Sequence, residues 1–326
     1  MKRSIKHNSI SFLMMSLCLF SMVSMVWGSS PIKGNQAPGF FRLMVGEVEV
    51  TALLDGSISF EPAILRNTTP LLIKMLWDRA GILSAEAPAS VNAFLINTGK
   101  KLILIDTGNG NGSGSESSSL LENLRESGYQ AAEIDAVLLT HAHGDHIGGL
   151  LNRNGERSFP NAVVFLSRAE NDFWLSAENA AKVRPEKRKS FARVRAIAAA
   201  YQKFDAWKTF EPGTELFPDL KAEAAYGHTI GHTVYLLSSG RQEIMFVGDC
   251  IHNAAAQFPR PSIGVRFDVD ITRAIETRIA LFARIAREHL LMAGAHLAFP
   301  GIGRIRAEGR GFVWLPVTFG PVKTGK

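Results

Sequence analysis

Read for alternation of apolar and polar positions, the chain divides into short β-type runs separated by helical stretches. Glu47–Leu54, Ala93–Ile96 and Leu102–Ile105 predict strands, the last ending in Asp106-Thr107-Gly108, and Ser118–Ser127 predicts an amphipathic helix. Ala136–Thr140 predicts a buried strand that runs directly into a His-rich turn. Ala162–Leu166, Val234–Ser238 and Glu243–Val247 predict further strands, with a long, basic helical region from Ala169 to Lys208 between them. A helix over Ile271–Glu288 precedes the apolar run Leu290–Ala295, and a last strand is expected over Phe312–Val317. Strands in both halves with helices interspersed predict a layered α/β domain. The Gly/Ser-rich stretch Gly108 to Ser119 has no residues that build a core and predicts a flexible surface loop. It does not divide the chain into two domains, because the strand Leu102–Ile105 needs partners from later in the sequence.

The longest apolar run, Ile10 to Trp27, is broken only by serines and Cys18; Lys2, Arg3 and Lys6 precede it, and Gly28, Ser29 and Ser30 follow. This is the layout of a secretory signal. Cleavage after Gly28 gives a signal peptide over 1–28 and a single domain over 29–326, and predicts a periplasmic or secreted protein. An uncleaved run would be a membrane anchor, since its length is at the lower limit for a spanning helix. The 46% hydrophobic and 20% charged composition excludes disorder, collagen and coiled coil. The signal takes three of the positive charges away from a formal net charge of +6, leaving +3, so the basic balance gives little support to a nucleic-acid partner. The cluster Lys182, Arg184, Lys187, Arg188, Lys189, Arg193 and Arg195 reads as a solvated helix face. Without Cys18, Cys250 is the only thiol; it forms no intramolecular disulfide and reads as a small buried hydrophobe.

The chemistry concentrates in Thr140-His141-Ala142-His143-Gly144-Asp145-His146-Ile147-Gly148-Gly149, four metal-ligand side chains within six positions. Burying them unpaired would cost several kcal/mol each (roughly 2–7 for a neutral polar group, more for a charge), so a metal is the expected partner. In an extended segment His141 and His143 point the same way, and a turn at Gly144 lets Asp145 and His146 point back into the same space. Further candidates stand where other predicted strands run out: His228 and His232 in Gly227-His228-Thr229-Ile230-Gly231-His232, Asp249 after Gly248, and His296 after Leu290–Ala295. One carboxylate bridging two cations with His on either side would make a dinuclear site suited to Zn²⁺, with Mn²⁺ or Fe²⁺ possible.

These motifs resemble the metallo-β-lactamase superfamily. Within it, Ala37-Pro38-Gly39-Phe40, Asn97-Thr98-Gly99, Asp172-Phe173-Trp174-Leu175-Ser176 and Ala295-His296-Leu297-Ala298-Phe299-Pro300-Gly301-Ile302-Gly303 resemble the methyl parathion hydrolase family, over nearly the whole predicted mature chain. The resemblance implies a four-layer αβ/βα sandwich and a homodimer. It implies that His141, His143 and His228 hold one metal, Asp145, His146 and His296 the other, and that Asp249 bridges. Asp106 resembles the superfamily's first motif and would orient a ligand; His232 is a candidate for the same task, while His252 leans structural. Asp249 disfavours β-lactam hydrolysis, because true β-lactamases carry Cys or Ser there, and His143 disfavours the flavodiiron type, which carries Glu. The chain shows neither the appended helical region of glyoxalase-type hydrolases nor the inserted domain of the nucleases. It departs from the methyl parathion hydrolases at Ile230, where Pro is usual, and in the Gly/Ser-rich loop.

The expected mechanism is metal-assisted hydrolysis. Water between two cations loses a proton near neutral pH, its pKa falling from about 15.7 towards about 7, and the hydroxide attacks a phosphoryl, carbonyl or lactone centre. Asp145 is the expected proton acceptor, with Asp249 holding the pair of cations. Phe173, Trp174 and Phe191 are expected to form an apolar pocket for an aromatic leaving group. The expected substrates are small organophosphate triesters, aryl esters or lactones. The rival readings are a persulfide-type dioxygenase with a single Fe²⁺ and a non-catalytic metal-binding protein.

Overall fold

The computed structural model describes residues 32–34, 36–110 and 118–322. The expected signal peptide (1–28) and the centre of the Gly/Ser-rich stretch (111–117) lie outside the described residues. One compact unit begins at Ala37. Its first half runs β1 (Phe40–Val45), β2 (Val48–Phe60), β3 (Leu65–Arg66), α1 (Pro70–Arg79), β4 (Ala87–Asn97), β5 (Leu102–Ile105), α2 (Leu120–Glu126) and β6 (Ala136–Leu138). It continues with α3 (Gly144–Ile147), β7 (Val163–Ser167), α4 (Arg168–Leu175), α5 (Ala177–Lys182), α6 (Pro185–Gln202) and β8 (Trp207–Phe210). The second half runs β9 (Glu215–Phe217), β10 (Leu220–Ala224), β11 (Thr233–Ser239), β12 (Gln242–Phe246) and α7 (Ala254–Gln257). Then come β13 (Gly264–Val265), α8 (Ile271–Glu288), β14 (Leu291–Ala293), β15 (Ile302–Glu308) and β16 (Gly311–Pro316).

The strands form two seven-stranded sheets, ordered β1-β2-β4-β5-β6-β7-β8 and β16-β15-β14-β12-β11-β10-β9. Pairing is parallel from β5 through β8 and between β12 and β14, and antiparallel elsewhere in the two sheets. Successive strand residues face opposite sides, so Phe94 and Ile96 of β4 enter the core between the sheets while Ala93 and Leu95 face the helical layer. The Leu-Ile-Leu-Ile of β5 is apolar throughout because both of its faces are covered: Ile103 and Ile105 point inward and Leu104 outward. Helices α2, α4 and α6 cover the outside of the first sheet, and α8 covers the outside of the second. The layers are therefore helix, sheet, sheet, helix, the expected αβ/βα sandwich.

Elements with strong periodicity match their expected bounds: β5 and α8 do so residue for residue. The expected helical region 169–208 is three helices followed by the start of β8. The breaks have local causes: Ser176 caps α5 by accepting from the Asn179 amide, and Pro185 opens α6. β2 is longer than expected, because a bulge between Leu54 and Gly56 lets pairing with β4 resume through Ser57, Ile58 and Ser59. Among the described residues no helix is long and apolar enough to cross a membrane.

Candidate metal centre

The expected ligands meet at one end of the sandwich. His141 and His143 follow β6, and Asp145 and His146 lie in the single turn of α3. His228 lies between β10 and β11, Asp249 follows β12, and His296 follows β14. Gly248 makes the turn beneath Asp249: its φ is +48°, and a Cβ there would stand 2.7 Å from His232 Nε2. Ligand atoms of His141, His143, His228 and Asp249 lie within 4.8 Å of one another, as do those of Asp145, His146 and His296.

Asp249 joins the two groups through different oxygens. Its Oδ2 is 3.2 Å from His228 Nε2 and 3.6 Å from His141 Nε2, while Oδ1 is 3.1 Å from His146 Nε2 and 3.2 Å from His296 Nε2. Although these separations are short, His141 Nε2, His146 Nε2 and Asp249 Oδ1 are buried with no hydrogen-bond partner. These three orphaned atoms converge on shared points and fit cation ligands, since buried polar atoms without partners are otherwise costly; within the set, His143 Nδ1 and His228 Nε2 are hydrogen-bonded at 3.0 Å. The donor set of imidazoles and carboxylates suits zinc-like divalent metals.

Electrostatics shows the same convergence. Burial would lower His228, but Asp249 and Asp268 hold it up at about 9; burial would lower His296, but Asp249 and Asp145 hold it up at about 10. Burial and the nearby His228 push His143 down to about 3, and burial with His146 holds His141 well below its usual range. Asp249, which burial would raise, is held well below the usual carboxylate range by His146 and His296. The protons on the raised imidazoles balance the carboxylates, and cation binding displaces such protons.

The candidate ligand rings are held from behind. His146 Nδ1 lies 2.8 Å from Asp106 Oδ2, and Asp106 also accepts from the amide and hydroxyl of Thr140. His228 Nδ1 lies 3.0 Å from Asp268 Oδ1, and His296 Nδ1 lies 3.1 Å from the Ser90 carbonyl. His232 Nε2 accepts from the Asp249 amide. These contacts fix which ring nitrogen faces the centre.

The profile of the Metallo-beta-lactamase superfamily matches residues 87–284, more than half of the chain. The chain belongs to the metallo-beta-lactamase superfamily. Its fold is similar to the crystal structure of AbOPH, a hydrolase in the beta lactamase superfamily, with TM-score 0.84 and 35% identity over 88% of this chain and 100% of that one. It is likewise similar to AidC, a dizinc quorum-quenching lactonase in complex with an N-acyl-homoserine product, with TM-score 0.80 and 31% identity over 87% of this chain and 99% of that one. Among curated relatives, the lactamase-like protein adaB of Aspergillus niger is 38% identical over 86 residues, 26% of this chain and 25% of that protein. A beta-lactamase-like protein 2 homolog of Drosophila melanogaster is 28% identical over 193 residues, 58% of this chain and 55% of that protein. The matched segments thus span from a quarter to about half the length of these relatives.

Within this superfamily centre some residues fall in places the sequence did not suggest. His252 Nε2 is 3.1 Å from Asp249 Oδ2, and the ring stacks on His296, so it belongs to the cluster and forms a third possible ligand group with Asp249 and His296. Phe173, Trp174 and Phe191 pack on one another between α4 and α6, with Trp174 edge-on to His143 at 6.1 Å. They back the His loop rather than wall the cavity above it. That cavity, about 870 Å³, has Ile58, Phe60 and Phe267 as its apolar wall. Burial pushes the Cys250 thiol up to about 12, in keeping with a packing role.

Sequence reading missed Asp268, Glu170 and Arg278. Buried Glu170 accepts from the amides of Ala142 and Gly231 and from Trp174 Nε1, tying the His loop to the loop that carries His228 and His232. Buried Arg278 donates to the carbonyls of Cys250, Pro261 and Ile263, fixing the backbone that follows Asp249. Ser167-x-x-Glu170 is a helix-start signature that marks Glu170. Arg278 is an arginine on an otherwise apolar helix stripe.

Proposed function

We propose that the protein is an exported, dinuclear metal-dependent hydrolase of small esters, lactones or organophosphate triesters, with zinc as its metal. The observation that carries this reading is the division of Asp249, one oxygen facing His141 and His228 and the other facing His146 and His296, at the floor of a cavity large enough for a small molecule. The similarity to a dizinc lactonase supports zinc and a lactone substrate, and the resemblance to methyl parathion hydrolases supports phosphotriesters.

Two divalent cations, if bound there, would supply Lewis acidity and acidify bound water. His141, His143 and His228 would hold one and Asp145, His146 and His296 the other, with Asp249 shared. Asp145 is the more exposed carboxylate, its side chain 30% accessible against 3% for Asp249. Burial would raise Asp145, but His146 and His296 keep it ionised. With Oδ2 turned toward His296 at 3.4 Å, Asp145 receives the proton of the attacking water at Oδ1. Ile58, Phe60 and Phe267 exclude water from the apolar part of the substrate.

The test is metal counting combined with a panel of an N-acyl-homoserine lactone, phenyl acetate, methyl parathion and nitrocefin. Two zinc equivalents per chain are expected, with hydrolysis of at least one of the first three. His143→Ala and Asp249→Ala should each lose more activity than the roughly 10–100-fold typical of a residue that only supports a ligand. One equivalent of iron with oxygen-dependent turnover would sink the proposal. Export is proposed from the N-terminal pattern, and the mass of the mature chain should place its first residue at Ser29. The proposed homodimer is checked by light scattering.

A further inference from the structure

The cavity above the cluster changes character with height. Its floor is the His/Asp cluster, its wall is Ile58, Phe60 and Phe267, and its mouth carries Arg184, Lys187 and Arg266 against a single carboxylate, Glu186. Glu186 lies 3.7 Å from Arg184 Nε; among the described residues Lys187 and Arg266 have no ion-pair partner. Arg266 instead lies over the ring of Phe267 at 5.5 Å, which brings a cation to the upper edge of the apolar wall. Other cations of the same segment have partners of their own: Lys182 forms an exposed surface pair with Glu178, Arg193 donates to the Asn109 carbonyl, and Arg195 to the Ser176 carbonyl. The basic cluster thus keeps the solvated face expected of it, Arg188 and Lys189 included, while Arg193 and Arg195 bond backbone carbonyls and the exposed Arg184 and Lys187 also line the cavity.

The placement also works against the local helix. α6 begins at Pro185; Glu186 in its first turn suits the helix dipole, but Lys187, Arg188 and Lys189 follow at the same end, where the dipole disfavours cations. A sequence that breaks a local rule beside a functional cavity points to a functional constraint.

Resting on the hydrolase reading of this site, we propose that the substrate is an anionic amphiphile: an ester or lactone whose reacting carbonyl sits on the floor, whose hydrocarbon segment lies along Ile58, Phe60 and Phe267, and whose anionic group meets Arg184, Lys187 and Arg266. Exposed cations of this kind act through steering and recognition at the mouth, and salt screens them.

The test compares mono-4-nitrophenyl suberate with its methyl ester, the same chain with the charge removed. At low salt the anion is expected to show about tenfold higher kcat/KM. The ratio should approach one in ~1 M salt, where the screening length is about 3 Å. In a Lys187→Glu/Arg266→Glu variant it should invert. A second measurement needs neither metal nor turnover: fluorescence titration with 8-anilinonaphthalene-1-sulfonate and with uncharged N-phenyl-1-naphthylamine. The variant should weaken the sulfonate dye about tenfold relative to the neutral one. An ester ratio near one, insensitive to salt and to the variant, together with unchanged relative dye binding, would overturn the proposal. Cleavage of neither ester with dye discrimination intact would instead overturn the hydrolase reading and leave the anion-selective mouth standing.

Discussion

Each imidazole that meets a carboxylate behind it is aimed and also electrically biased. His228 shows both effects, because Asp268 fixes its Nδ1 and, together with Asp249, holds the ring at about 9. The sign of the pH dependence follows. Below about pH 9 His228 carries a proton that a cation must displace, and His296 does so below about 10. Metal affinity should therefore rise with pH through this range, and binding at pH 7 should release protons. Calorimetry in buffers of different ionisation enthalpy counts them, and a count of zero would refute the linkage. Asp268→Asn should lower the count and weaken metal binding roughly 10–100-fold by chelator competition.

At the scale of elements, α4 acts as a tie between loops through one carboxylate. Glu170→Ala would leave the amides of Ala142 and Gly231 and the Trp174 indole without their acceptor, at about 1–3 kcal/mol for each buried group left unpaired. Denaturant unfolding should show a loss of at least ~3 kcal/mol; a loss below about 1 kcal/mol would mean that water replaces the carboxylate. The same scale shows what the sequence could disclose. The clustering of the His-x-His-x-Asp-His motif was legible because its side chains are contiguous, and α8 because its apolar stripe is regular. Glu170, Asp268 and Arg278 were not, since one charged residue inside a helix or loop looks like solvent-facing surface until the fold supplies its partners. His252 was undervalued because its role depends on the turn after β12 bringing it back to Asp249. The aromatic trio looked like a pocket wall because composition reports apolar character without direction.

At the scale of the molecule, the candidate ligands come from both sheets: His141, His143, Asp145 and His146 from the first, and His228, Asp249 and His296 from the second. Cations bound at their meeting point would favour the assembled sandwich and so stabilise it, by about 2.7 kcal/mol at a hundredfold excess over Kd. Chelation should therefore lower Tm by roughly 5–10 °C, at about 2–4 °C per kcal/mol for a chain of this size. Calorimetry with and without a chelator checks this; an unchanged Tm would show that no cation links the sheets.

Asp55 sits at the bulge of β2. Its carboxylate accepts from the Asn109 amide on one side of residues 111–117, and from the Ser118 hydroxyl and Leu120 amide on the other. Gly108, with φ +68°, leaves room for it, since a Cβ there would sit 2.3 Å from Asp55 Cγ. A hasp of this kind fastens Asn109 to the start of α2, so the two described ends keep a fixed spacing set by β2 rather than by the chain that joins them.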